Sequence, residues 1–399
     1  MTRSKTDFRK HPLRLLPLLA SMVAITPLAI DMYLPAMPVI AKDLQTTNSA
    51  IQVSLSLYLA GYALGMLIFG PLADRLGRRK VSITGLIGFI ICSVLLAFTE
   101  QADVFLGLRF TQAVLGSGAT VVVAGIIRDL YGEHTSKGLS YVSMIMMVAP
   151  LIAPAIGSLI LEISRWQTIF LTLAAYALLI LILVSWKLPS CMPEKSDRNW
   201  FGEFFANYKL VFSDLRSVMN IVSSMLGSFA FFCYITAIAF VYIEFFKVSE
   251  SHFSILFGIN VLALLLANII NSRFVVRLGS QTMLTIGLVL GVVSAGLFVL
   301  ISKLDLTLYY TVAVLFPIIA GLSLVTVNSD SQILTQFPQQ TGTATAVIGT
   351  LRFGSGAFAG VILSALSDGT PFNLAILMFA SLLGVLIAQL LKPKAVRAT

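Results

Sequence analysis

Long apolar runs separated by short polar breaks set the pattern of this chain. Twelve runs stand out, near residues 15–37, 50–70, 81–99, 102–124, 138–160, 167–187, 217–245, 253–271, 281–301, 306–328, 342–366 and 371–391. Each approaches or exceeds the roughly 20 residues that a helix needs to cross a hydrocarbon core of about 30 Å. Helix is the expected conformation because lipid offers no partners to free backbone groups. Runs such as Leu178 to Val184 also lack the alternation of a membrane-barrel strand. The pattern therefore predicts an all-α membrane protein with twelve transmembrane helices.

One long polar interruption, from Leu188 to about Arg216, divides six runs from six; Pro189, Pro193, Glu194, Lys195, Asp197 and Arg198 fill its first part. The expected organisation is a six-helix half over 1–188, a cytoplasmic linker over 189–216 and a second six-helix half over 217–399. Within the linker, Phe201, Phe204, Phe205, Tyr208 and Phe212 have helix-like spacing, which suits either a helix lying on the membrane surface or a plain linker with one amphipathic turn. Asp74-Arg75-Leu76-Gly77 is echoed by Val276-Arg277-Leu278-Gly279 at an offset of 202 residues, about half the chain. Parallel repeats of this kind predict two pseudo-symmetric halves around a central cavity, with a substrate site at their interface and access alternating between the two sides.

Composition supports the membrane reading: 57% of residues are hydrophobic and 11% charged, against roughly 25% charged in a soluble domain. The net charge of +9 raises the question of nucleic acid, and the placement of the 27 Lys and Arg removes it. With the amino terminus inside, 21 of them fall in cytoplasmic segments, and only Lys42, Arg165, Lys247 and Lys303 fall in periplasmic loops. That bias is the positive-inside signature, so both termini are expected in the cytoplasm. The first run follows a basic tail, but Asp31 and Pro27, Pro35 and Pro38 stand where a signal peptide would need a small-residue cleavage site, so it reads as the first helix. Cys92, Cys191 and Cys233 suggest no disulfide, and with the scattered His11, His134 and His252 they suggest no metal site.

The remaining two bases, Arg109 and Arg352, fall inside spans, as does Asp31. Charge in a span is costly, so such residues usually face a cavity and often carry protons. Counting 1.5 Å per residue, Asp31 lies about 24 Å from the cytoplasmic face and Arg109 about 10 Å in from the periplasmic end of its span, similar depths at which the two could pair. They form either a coupling pair, whose proton comes and goes with conformation, or a static ion pair that fixes packing. Arg352 has no acid within several turns of its own helix, so its partner lies elsewhere: a substrate's anionic or carbonyl group, or backbone carbonyls. Tyr33, Tyr58, Tyr62, Tyr141, Phe232 and Tyr234, with Met144 and Met147, are candidates to line an adaptable apolar cavity, though each alone reads equally as packing.

The run Gly70-Pro71-Leu72-Ala73-Asp74-Arg75-Leu76-Gly77-Arg78-Arg79-Lys80 resembles the signature loop between helices two and three of the major facilitator superfamily. Arg109-Phe110-Thr111-Gln112 is similar to that superfamily's intramembrane arginine motif, with Ala113 where a glycine is usual. Ala149 to Ser158, containing Pro150, Pro154 and Gly157, is similar to the antiporter motif of drug/proton exporters. Asp31-Met32-Tyr33-Leu34-Pro35-Ala36-Met37-Pro38 and Gly342-Thr343-Ala344-Thr345-Ala346 narrow the resemblance to the bicyclomycin/chloramphenicol resistance branch.

The resemblance implies a monomeric bacterial inner-membrane antiporter that exchanges protons for small drug-like molecules and needs no cofactor. It also implies gating roles for Gly70, Asp74, Arg75, Gly77, Arg78 and Asp129, with Asp74 at a helix end and Arg75 or Arg78 on Asp129, and for Pro150, Pro154 and Gly157, which would kink helix five into a seal. The expected partners are a small-molecule substrate, protons and the bilayer, with no nucleic acid. A metabolite such as an amino acid or sugar remains an alternative cargo. No Gly-x-x-x-x-Gly-Lys-Ser/Thr loop for ATP is present, and no Ser/His/Asp constellation at a span end suggests an enzyme.

Overall fold

The computed structural model describes residues 15–131, 135–188, 212–304, 307–337, 341–366 and 369–393, and within them all side chains except those of 74, 128–131, 135–147 and 341–343. The linker aromatics Phe201, Phe204, Phe205 and Tyr208 lie outside the described residues. Helices make up the architecture, and no strand occurs among the described residues.

The chain begins with α1 (Leu16–Asp31), a 3-10 turn (Leu34–Ala36) and α2 (Met37–Asp43). Then come α3 (Asn48–Leu76), α4 (Arg78–Phe98), α5 (Ala102–Thr120), α6 (Val122–Tyr131), α7 (Thr135–Ile163) and α8 (Gln167–Lys187). The second series comprises α9 (Leu215–Ala239), which runs into a π-helical turn (Phe240–Phe245), then α10 (Glu250–Leu278), α11 (Ser280–Lys303), α12 (Leu308–Gln336), α13 (Thr341–Leu366) and α14 (Phe372–Leu391).

Eleven stretches among the described residues are long and apolar enough to span a bilayer, and the described part of α7, Val148–Ile163, is a shorter apolar one. Large apolar side chains stand outward, among them Phe98, Ile163, Trp186 and Val276, as a lipid-facing surface requires.

Two differences from the apolar pattern matter for function. The first expected span, 15–37, is interrupted after Asp31, because Pro35 and Pro38 each lack an N–H and clash with the preceding turn. The tenth, expected to stop at 328, continues as helix to Gln336, carrying Asp330 inside it. The apolar run ends where Asn328-Ser329-Asp330 begins, but side-chain partners let the helix run on: Asn328 Nδ2 donates to Asn271 Oδ1 at 2.8 Å, and Asp330 is bonded by Ser224.

The 202-residue echo has a backbone counterpart. Gly77 (φ 90°) joins α3 to α4, and Gly279 (φ 82°) joins α10 to α11. Each donates its N–H back to the carbonyl four residues earlier, Gly77 to Ala73 at 3.1 Å and Gly279 to Val275 at 2.8 Å. Positive φ is what reverses the chain so tightly here, and glycine adopts it at little steric cost.

The chain forms two compact units: Met1–Ser196 with Val248–Gly258, and Asp197–Lys247 with Ile259–Thr399. In the first, α3 packs along α5, α4 along α5 and α8, and α1 along α7. In the second, α11 packs along α12, while α9 contacts α12, α13 and α14. The segment Leu16–Asp43 is the most enclosed of the spanning stretches, with 83% of its most apolar window buried.

Candidate functional site

In the first unit the site is built around the broken end of α1. Asp31 is the last residue of α1 and is buried. Among the described residues it has neither an ion pair nor a hydrogen bond from a side chain. The carbonyl of the next residue, Met32, is capped by Gly157 on α7: a Cβ added there would lie 2.1 Å from Met32 O and 3.1 Å from Pro35 Cγ. Only a hydrogen at position 157 lets α7 reach the break, so this part of the expected antiporter motif packs directly on the turn beside Asp31.

Arg109 on α5 is fully buried. Its Nη1 donates to Gln112 Oε1 at 2.8 Å, and its Nη2 donates to the Ala29 carbonyl of α1 at 3.2 Å. Gln112 passes the chain on, with Nε2 donating to Ser93 Oγ at 2.8 Å. The guanidinium carbon lies 4.5 Å from the Tyr33 ring centroid, 4.4 Å from that of Tyr58 and 5.8 Å from that of Phe170. Desolvated cation–π contacts of this kind contribute about 2 kcal/mol or more each. Arg109 Nε has no hydrogen-bond partner among the described residues.

The structure thus brings Arg109 together with Tyr33 and Tyr58 but does not pair it with Asp31, as their similar depths had suggested. Aromatic faces and the Ala29 carbonyl take the place of the expected carboxylate. Tyr33 is anchored in turn by Ser54, with Oη and Oγ 2.5 Å apart, and Tyr62 by Thr120 at 2.8 Å. All three tyrosines are buried. The side chains of Tyr141, Met144 and Met147 lie outside the described set.

In the second unit, Arg352 on α13 forms a salt bridge through Nη2 with Asp330 on α12. Asp330 Oδ1 also accepts from Ser224 Oγ on α9 at 2.5 Å. In this structure the partner of Arg352 is therefore a carboxylate of the same unit, which neither sequence reading named because Asp330 falls two residues past the end of the apolar run. Phe353, next to Arg352, lies 5.6 Å from the buried Phe232. The Tyr234 hydroxyl accepts from Asn260 Nδ2 at 3.0 Å.

Of the expected gating residues, Arg78 donates to the Gly125 carbonyl on α6, one turn before Asp129. The side chains of Asp74 and Asp129 lie outside the described set, and Arg75 is exposed. Arg79, which the sequence reading passed over, donates to the Ser185 carbonyl near the end of α8 and ties that end to the Gly77 joint. Gly70 has open space where a Cβ would point. Pro154 is buried and Pro150 half-buried in α7, and the Pro154 carbonyl accepts from Ser254 Oγ at 2.9 Å.

A polar knot closes one end of the second unit. Lys392 Nζ donates to Asn220 Oδ1 and Gln281 Oε1 at 2.8 Å and to Gln332 Oε1 at 2.6 Å. Burial, with Arg216 nearby, pulls this amine from its ordinary 10.5 down to about 8.

The model of the Major Facilitator Superfamily matches residues 19–361. A relative from Haemophilus influenzae named bicyclomycin resistance protein homolog is 30% identical over 349 residues, 87% of each chain. Multidrug resistance protein MdtL of Vibrio parahaemolyticus is 30% identical over 347 residues, 85% of each chain. The solved structure of a D-xylose-proton symporter superposes with a TM-score of 0.77 at 14% identity, covering 94% of this chain and 96% of the other, which speaks for the fold alone. The match across most of the chain, the two-unit helical fold and these relatives together establish that the chain belongs to the major facilitator superfamily of membrane transporters, in the bicyclomycin-resistance branch that its motifs resemble.

Proposed function

We propose that the protein is a proton-coupled antiporter that exports small drug-like molecules across the bacterial inner membrane by alternating access. The observation that carries the coupling is Asp31, a buried carboxylate without a side-chain partner among the described residues, at the end of a broken spanning helix. A negative charge there is buried and without a countercharge among the described residues, and it also opposes the negative end of the α1 dipole. A carboxylate at such a break can exchange a proton as alternating access exposes it to one side or the other, which is the behaviour coupling needs. Arg109 supports the same end of α1 through the Ala29 carbonyl, so movement of the helix end and the environment of Asp31 are mechanically linked. The drug-like cargo rests on the printed names of the relatives. The gradient is the energy source, no cofactor takes part, a monomer suffices, and both termini lie in the cytoplasm.

The test is accumulation of chloramphenicol, bicyclomycin and a cationic dye in cells overproducing the protein. Wild type lowers accumulation of at least one, an uncoupler restores it, and Asp31→Asn behaves like the uncoupled cell at equal protein level. Uncoupler-sensitive efflux that survives Asp31→Asn removes Asp31 from the coupling step. No protection against any probe, with export of an amino acid or sugar instead, replaces the drug reading by the metabolite one.

A further inference from the structure

The Asp330–Arg352 pair lies inside its helices, Asp330 about 9 Å from the end of α12 and Arg352 about 16 Å from the start of α13 at 1.5 Å per residue. It is not sealed: the Arg352 side chain is 34% exposed and that of Asp330 18%. Contact of two full charges with hydrocarbon is prohibitive, so the exposed part meets water. The register of α13 agrees, because Val361, half-exposed and nine residues on, stands about 180° around the helix from Arg352. The pair therefore lies on a wetted face of the second unit, with Phe353 beside it.

Charge balance decides what can bind there. An anion that takes Arg352 leaves Asp330 without its countercharge, and a cation that takes Asp330 strands Arg352. Taking one partner from even a partly wetted pair leaves the other charge uncompensated, which is what makes such exchanges costly. A ligand with both charges replaces each partner at once, its carboxylate on the guanidinium fork and its ammonium on Asp330. Ser224 holds Asp330 Oδ1 and keeps the carboxylate in place during the exchange.

We propose that Asp330, Arg352 and Ser224 form a recognition site for the dipolar, zwitterionic head of a transported solute. The inference rests on the export reading above and names a substrate class for it.

The test uses one scaffold in three charge forms: a fluoroquinolone with a free carboxylate and a free secondary amine, its methyl ester and its N-acetyl derivative. Binding to the purified full-length protein in detergent is measured by equilibrium dialysis. Wild type binds the zwitterion about tenfold or more tighter than either blocked form, a difference of about 1.4 kcal/mol. Asp330→Asn reverses the ranking towards the anionic N-acetyl form, and Arg352→Gln reverses it towards the cationic ester. A purely structural pair would weaken all three probes alike. If one variant fails to fold, the reversal in the other decides. Equal binding of the three forms by wild type, an unchanged ranking in a folded variant, or no binding of any form overturns the site. The accumulation assay with neutral chloramphenicol and Asp31→Asn judges the export reading separately.

Discussion

Arg109 in the first unit and Arg352 in the second both carry positive charge inside a span, yet their surroundings have little in common. Arg109 is wholly buried and lies against Tyr33, Tyr58 and a backbone carbonyl, while Asp31, its expected partner, has no ion pair among the described residues. Arg352 is a third exposed and is neutralised by Asp330. The difference separates two uses of an intramembrane charge. A cation satisfied by rings and dipoles needs no carboxylate, whereas a cation satisfied by a carboxylate forms a dipole with it.

The largest effect is expected where the aromatic cage is broken. Arg109→Lys keeps the charge but loses the planar stacking on Tyr33 and Tyr58 and the forked bonds to Gln112 and Ala29. Export should fall by a factor of about ten or more, the equivalent of about 1.4 kcal/mol, as measured by substrate accumulation at matched expression. Wild-type export by Arg109→Lys would mean that charge alone is needed and would erase the contrast with Arg352.

Next comes Gly157→Ala. The new methyl meets the Met32 carbonyl at 2.1 Å, so α7 or the break after Asp31 must shift. Overpacking of this kind costs about 1–3 kcal/mol, read as a lower melting temperature in detergent.

For the paired arginine the sign of non-additivity is the sharper measurement. Asp330→Asn or Arg352→Gln alone leaves one charge uncompensated and should destabilise by about 1–2 kcal/mol, less than for a fully buried pair because water reaches it. The double variant should be less destabilised than either single one. Additive losses would show that the two charges act independently.

The smallest effect concerns Lys392, whose amine is held near 8. Between about pH 8 and the ordinary 10.5, the unfolded chain binds more protons at this residue than the folded one, so stability should fall as pH drops through that window and level off below it. Lys392→Met should flatten this part of the melting profile. An unchanged slope would locate the titration elsewhere.

Much of the fold could be read from apolar run lengths, and the Gly77 and Gly279 joints could be read from a repeat of four letters. Asp31, Arg109 and Arg352 were legible for one reason: charge in a span stands out against its background. Asp330 was not, because hydropathy marks where apolar side chains stop and not where helix stops, and the helix went on to Gln336. The cage around Arg109 was equally hidden. Tyr33 and Tyr58 look like any cavity-lining aromatics until tertiary packing brings α1, α3 and α5 onto one guanidinium. Arg79 was obscured by its neighbours, since a run of bases at a membrane edge is already explained by topology.

The enclosure of the first helix bears on how the protein is made. Chain synthesis delivers α1 to the bilayer before any of the helices that later surround it, so the innermost wall of the unit is laid first. Until α5, α7 and α8 arrive, Asp31 and its polar break lack the helices that α1 packs against. Ribosome-bound chains that stop short of α7 lack Gly157 over Met32, and their first helix is an unfinished part awaiting its housing.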